Sequence, residues 1–177
     1  MKADAIFRIY SMTKPIVSVA TMMLVEEGRL GLGDPVAAFL PEFAQVGVGI
    51  ARTPPARPMT VQDLLRHTSG LCYDFTGDTD VHRLHAQARL GDARRTNAQA
   101  MAELAALPLI DSPGERWEYS RSTDVLGRII EVVDGCTLGE SLARRVFGPL
   151  HMTDTGFHVP AAQQHRIAEP FPVDPDT

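Results

Sequence analysis

Ile9-Tyr10-Ser11-Met12-Thr13-Lys14-Pro15 sets a serine and a lysine three residues apart at the head of a long apolar run. Positions i and i+3 share one face of a helix, so Ser11 in a first turn brings its hydroxyl within reach of the Lys14 amine. A neutral amine there takes the hydroxyl proton as the serine attacks a carbonyl carbon. Burial and the positive end of the helix dipole are expected to hold that amine neutral. Pro15 suits the first helical turn, where its missing N–H has no intrahelical partner. The plainer alternative for the four residues is an N-cap serine followed by a solvated lysine.

Around this segment the chain reads as a globular domain, or part of one. It has 177 residues, 44% of them hydrophobic and 22% charged, with a net charge of −5. The acidic balance and the lack of a Lys/Arg cluster argue against a nucleic-acid surface. No apolar run reaches membrane-spanning length. Cys72 and Cys136 are too few for a disulfide framework and read as buried free thiols. Met1 to Ala5 lack a secretory signal pattern. The resulting expectation is a cytoplasmic chain, with the periplasm open if the natural N-terminus lies upstream.

The pattern of elements is mostly helical. Ile6 to Tyr10 predicts the end of a strand, and Met12 to Glu27 a helix apolar around much of its circumference, closed at Gly28. Asp34-Pro35 opens a short helix that Pro41 ends. Residues 44 to 58 read as loop. Thr60-Val61-Gln62-Asp63 resembles a capping box, and Thr68-Ser69-Gly70 closes the helix it starts. Further helices are expected over Thr79 to Leu90, over Ala98 to Leu107 capped by Asn97, over Val125 to Val133 closed by Gly135, and from the Thr137-to-Glu140 capping box to Phe147. Arg116 to Tyr119 and Thr155 to Val159 read as short strands. The proline-rich end, Ala168 to Thr177, gives no element.

Taken together, these segments resemble the β-lactamase-like serine hydrolases, nearest to the carboxylesterases related to class C β-lactamases and penicillin-binding proteins. Phe7 to Pro15 is similar to that family's nucleophile segment. Gly28-Arg29-Leu30, Asp34-Pro35-Val36 and Leu40-Pro41 follow in the family's order. Leu64 to Leu71, with its His67-Thr68-Ser69-Gly70 turn, resembles its characteristic turn, and Pro113-Gly114 to Tyr119-Ser120 its second active-site motif. Phe147 to Leu150 and Met152 to Phe157 are similar to its helix-and-turn signature.

The resemblance implies an α+β fold of which residues 1–177 form a single partial domain, mostly its helical region with few strands. It implies Ser11 as nucleophile, Lys14 as its activating partner and Tyr119 as acid/base, with the Ser11 N–H as one oxyanion donor. The alternative for Tyr119 is a core aromatic with a hydrogen-bonded hydroxyl. Ser120 and Arg121 become candidate substrate-binding residues. Arg121 stands where the lactamases carry the asparagine of Tyr-x-Asn, which leans towards an ester substrate. A β-lactamase or D-alanyl-D-alanine peptidase is the alternative enzyme. The family's later Lys-Thr-Gly or Trp-Gly-Gly motif does not occur in the chain.

The expected ligand is therefore a small ester or lactam, with no cofactor and no metal. Family members run to roughly twice this length, so a fragment is expected. Its apolar helix after Ser11 would then expose surface that a second copy or a complementing chain covers. A fragment of this kind is the non-catalytic alternative. His82 and His85 beside Asp80 form a possible metal edge, but a solvated helix face is the favoured reading. His67 is expected to be a hydrogen-bonder at a helix end rather than a catalytic base.

Overall fold

The computed structural model describes residues 2–92 and 94–169. Six α-helices, numbered in chain order, carry its core: α1 (Thr13–Glu26), α2 (Val61–Arg66), α3 (Asp80–Ala88), α4 (Asn97–Ala105), α5 (Ser122–Asp134) and α6 (Leu138–Leu142). A 3₁₀ turn, Tyr10–Met12, precedes α1, and a π-helical turn, Ala143–Phe147, extends α6.

The centre is α5. Val125, Leu126, Ile129 and Ile130 are completely buried, the i, i+1, i+4, i+5 stripe of a helix facing a core. Against that stripe pack α1, α2, α4 and α6. Burial of each such side chain contributes roughly 1.5–3 kcal/mol relative to exposure. Gly127 lets α6 approach, since a Cβ there would lie 3.0 Å from Leu138.

The α1 helix buries only one side. Val17, Ala20, Thr21 and Leu24 face the core, whereas Val19 and Met22 are 52% and 38% exposed. The expected uncovered apolar surface is present. The helix ends in a Schellman arrangement: Gly28 (φ +69°) donates to the Val25 carbonyl and Arg29 to that of Leu24.

Several local expectations hold. Thr60 and Asp63 cap α2 reciprocally, as do Thr137 and Glu140 for α6, and Gly135 closes α5 in a left-handed conformation. Thr79 caps α3. The α4 cap is Thr96, one residue earlier than the predicted Asn97, because the Thr96 side chain accepts the Gln99 N–H and Gln99 returns the bond. It is His67 in the left-handed region, rather than the following Thr-Ser-Gly, that stops α2. After Val36–Ala38, Pro41 opens a further 3₁₀ turn to Gln45 instead of ending the segment.

The strand expectations fail. Among the described residues no strand ladder forms. Extended segments meet at isolated bridges, including the parallel pair Ile6 and Ile167. Residues 116–119 and 155–159 form no strand; the 116–119 segment instead bonds the carbonyl of His67, at the end of α2, through the Glu118 N–H. Most of the proline-rich end lies outside the described residues.

Two positions shape the turn beside the site. Gly70 has φ +80°, and a Cβ on it would sit 2.1 Å from the Asp111 carbonyl oxygen. That space is what lets Ile110 donate to the Gly70 carbonyl at 2.7 Å. Asp63 is buried and receives both Arg57 guanidinium nitrogens at 2.7 Å, the Thr60 N–H and hydroxyl, and the Thr68 hydroxyl. Burial pushes its carboxyl up, but these bonds outweigh it and hold the pKa at about 2.

Candidate active site

Ser11 lies in the 3₁₀ turn before α1, not in the first α-helical turn as expected. Tyr10 precedes it at φ +42°, a left-handed conformation uncommon for a bulky residue and often found next to reactive groups. The tight turn still keeps the i, i+3 relation. Lys14 Nζ donates to Ser11 Oγ at 3.4 Å.

The third group arrives from 108 residues away in sequence. The Tyr119 hydroxyl lies 2.8 Å from Ser11 Oγ. Lys14 Nζ stands 4.8 Å from the Tyr119 ring centroid and 5.6 Å from that of Tyr73. Hydroxyl, amine and phenol therefore converge on one point.

The electrostatics differ from the sequence expectation. Burial does pull the Lys14 ammonium down, but hydrogen bonding and attraction to Tyr119 and Tyr73 outweigh it, and its pKa lies above the ordinary lysine value. That direction favours the ammonium over the neutral amine expected, because two phenols face Lys14 and burial is only partial. The same partners act oppositely on Tyr119. Hydrogen bonds from Lys14 and then from Ser11 lower its phenol below the ordinary tyrosine value.

Sequence reasoning missed Tyr73. Its ring lies 5.2 Å from Tyr119 and 4.9 Å from Phe75. Burial raises its phenol above the ordinary value, against the pull of Lys14. Its place two residues beyond the His67-to-Leu71 turn was the available signal.

The two candidate substrate-binding residues, Ser120 and Arg121, do not line the cleft beside Ser11. Ser120 is completely buried, with its hydroxyl 2.8 Å from that of Ser122 and 3.3 Å from His67 Nδ1. Arg121 lies over the Tyr73 ring at 5.1 Å and pairs with Asp74 at 3.9 Å. Both support the site's wall: a residue one or two beyond Tyr119 turns into α5 rather than into the cleft.

The cleft itself has a volume of about 980 Å³ and opens beside Ser11, Lys14 and Tyr73. Leu138, Phe147 and Phe157 give it apolar wall further along. Asp124 also lines it. This carboxyl is open to the cleft yet crowded by protein, and that desolvation raises its pKa against the pull of Arg121 and Lys14.

Other candidates resolve into structure. His82 and His85 are buried, so the solvated-face reading fails. His82 bonds the Thr79 and Thr76 hydroxyls, and His85 Nε2 donates to the Pro108 carbonyl. Asp80 pairs with Arg83 instead of joining them. Cys72 is buried and its thiol is pushed up to about 12, while Cys136 is half-buried.

The chain is similar to several known proteins. Protein Rv1367c of Mycobacterium tuberculosis is 41% identical over 98% of this chain and 44% of its own length. Esterase EstB of Burkholderia gladioli is 37% identical over 97% of this chain and 43% of its own. Among solved structures, EstCE1, a hydrolase with promiscuous acyltransferase activity, superposes with a TM-score of 0.78 at 31% identity, over 92% of this chain and 42% of its own. The chain thus spans less than half the length of these relatives. The Beta-lactamase family profile matches residues 1–175, and the chain belongs to the Beta-lactamase family.

Proposed function

We propose that the chain carries the acylation centre of a serine hydrolase acting on short acyl esters. The observation that carries this reading is the 2.8 Å contact between Ser11 Oγ and the Tyr119 hydroxyl, with Lys14 beside both. Tyr119 as phenolate takes the proton of Ser11 Oγ while that oxygen attacks the ester carbonyl carbon. The Lys14 ammonium stabilises the phenolate and stays charged throughout. The Ser11 N–H is one donor to the oxyanion that forms.

Collapse of the tetrahedral intermediate breaks the carbon–oxygen bond to the alcohol. Tyr119 returns its proton to that leaving oxygen, and the acyl group remains esterified to Ser11. Water then attacks the same carbon, gives its proton to Tyr119, and the acid leaves as Ser11 Oγ is reprotonated.

An ester is favoured over a lactam because Arg121, in the place of the lactamase asparagine, is engaged by Tyr73 and Asp74 and offers no amide contact in the cleft. The esterase and hydrolase relatives support the same class of chemistry. A second reading, an inert portion of a longer fold that associates with another chain, is favoured by the exposed Val19 and Met22 on α1. Hydrolysis of p-nitrophenyl butyrate by the chain and by Ser11→Ala separates the two. Turnover lost in the variant supports the hydrolase, and equal rates remove Ser11 from the mechanism. Faster turnover of nitrocefin than of the ester would reverse the order of ester and lactam.

A further inference from the structure

The polypeptide on both sides of Tyr119 hangs on one residue. His67 ends α2 at φ +55°, a conformation that histidine and asparagine adopt more readily than most side chains. Its carbonyl accepts the Glu118 N–H at 2.8 Å. Its Nδ1 accepts the Ser120 N–H at 3.3 Å. These are the residues immediately before and after Tyr119.

The imidazole also faces the phenol ring. Its centroid lies 5.2 Å from that of Tyr119, with the rings tilted by 44°, and 6.2 Å from that of Trp117, edge to face. Tyr73 sits 5.2 Å from Tyr119 as well. The Tyr119 ring is therefore in contact with two aromatic neighbours while its hydroxyl meets Ser11.

Accepting the Ser120 N–H requires an unprotonated Nδ1, hence the neutral tautomer with its proton on Nε2. Burial, and then the Lys14 charge, lower the His67 pKa and favour that neutral form. Behind it, the hydroxyls of Ser120, Ser122 and Ser69 form a buried chain with 2.8 Å steps, ending where Ser69 Oγ accepts the Leu71 N–H. The turn that holds His67 and the segment that holds Tyr119 are thus joined twice.

We propose that His67 is the positioning residue for Tyr119: its backbone carbonyl and Nδ1 clamp residues 118 and 120, and its ring aims the phenol at Ser11 Oγ. It touches no reacting atom. The inference rests on the acylation reading above for its consequence, but not for its geometry. A shift of the phenol by about 1 Å is enough to slow a reaction through Tyr119 by one to two orders of magnitude.

The test compares His67→Asn, which keeps a short side-chain acceptor and the left-handed backbone, with His67→Ala, which keeps neither. Phenolate absorbance isolates the Tyr119 titration, with Tyr119→Phe as the reference. In His67→Ala the midpoint rises towards that of a free tyrosine, because the bonds from Lys14 and Ser11 are lost, and in His67→Asn it stays near wild type. Fluorophosphonate labelling of Ser11 slows about tenfold or more in His67→Ala and less than about threefold in His67→Asn.

Nitrogen NMR of the wild-type chain at neutral pH shows His67 protonated on Nε2 only. An unmoved Tyr119 midpoint in a folded His67→Ala chain, or a proton on Nδ1, overturns the proposal. Should His67→Ala fail to fold, the wild-type tautomer and the His67→Asn midpoint decide. If wild-type Ser11 takes no label, the acylation reading falls, while the midpoint and the tautomer still judge His67.

Discussion

The two halves of the site are built in different ways. Ser11 and Lys14 come from one seven-residue stretch, and a tight turn alone fixes their relation. Tyr119 reaches them from a segment with no helix or strand of its own. Its position depends on His67, on the buried serine hydroxyls, and on the Asp63 network that anchors α2. One half is local and tolerates distant change. The other inherits every error in the packing of α2 against α5. The lesson is that a close serine–lysine pair can be written into a few residues, whereas the phenol that meets it needs the whole core.

That contrast can be broken or sharpened by substitution. The largest effect is expected from Tyr119→Phe, which keeps the ring packing and removes the hydroxyl. Acylation of Ser11 slows by about 10²–10⁴-fold, read by fluorophosphonate labelling, with unfolding midpoints unchanged. Labelling at the wild-type rate would make the serine–lysine pair self-sufficient and erase the difference between the halves.

Next is the core that supports the distant half. Ile129→Ala deletes a completely buried side chain from α5 and is expected to cost about 2–5 kcal/mol by urea denaturation. A cost below about 1 kcal/mol would show that α5 is not the centre of the packing.

The Asp63 anchor gives a smaller effect that depends on pH. Its folded value of about 2 lies below the ordinary 3.8, so the unfolded chain binds the proton first as pH falls. The carboxylate therefore contributes about 2 kcal/mol that is fully present above pH 4 and is lost as pH drops through about 2. Urea midpoints at pH 6 and pH 2.5 should converge in Asp63→Asn relative to wild type. Parallel loss in both proteins would remove Asp63 as the source.

The smallest effect tests locality. Thr79 caps α3, away from the cleft-lining residues. Thr79→Ala is expected to cost about 1 kcal/mol and to leave Ser11 labelling unchanged. Slower labelling there would mean that α3 also supports the site.

The same contrast explains what the sequence made legible. The capping boxes at Thr60 and Thr137, the stop at Gly28 and the Ser11–Lys14 spacing are short-range devices, and each reads correctly from a few residues. Tyr119 was found through its motif, not through any local periodicity. Tyr73 was missed because a loop residue becomes part of a site only when the turn before it is folded. His82 and His85 read as a solvated face because their neighbours Asp80 and Arg83 are charged; the alternation of buried and exposed positions along α3 shows only in three dimensions. Ser120 and Arg121 read as ligand contacts because they adjoin Tyr119, yet the start of α5 turns them inwards. The Lys14 charge was misjudged for a related reason: the two phenols that favour the ammonium lie far from it in sequence.

The central claim is that the hydroxyl at position 11 is a nucleophile served by groups from both halves. Intact mass after exposure to a fluorophosphonate tests it most directly, with Ser11→Ala treated alongside. The account predicts one adduct on the wild-type chain, mapped to Ser11, and none on the variant. An unmodified wild-type chain, or an adduct retained by Ser11→Ala, would contradict it.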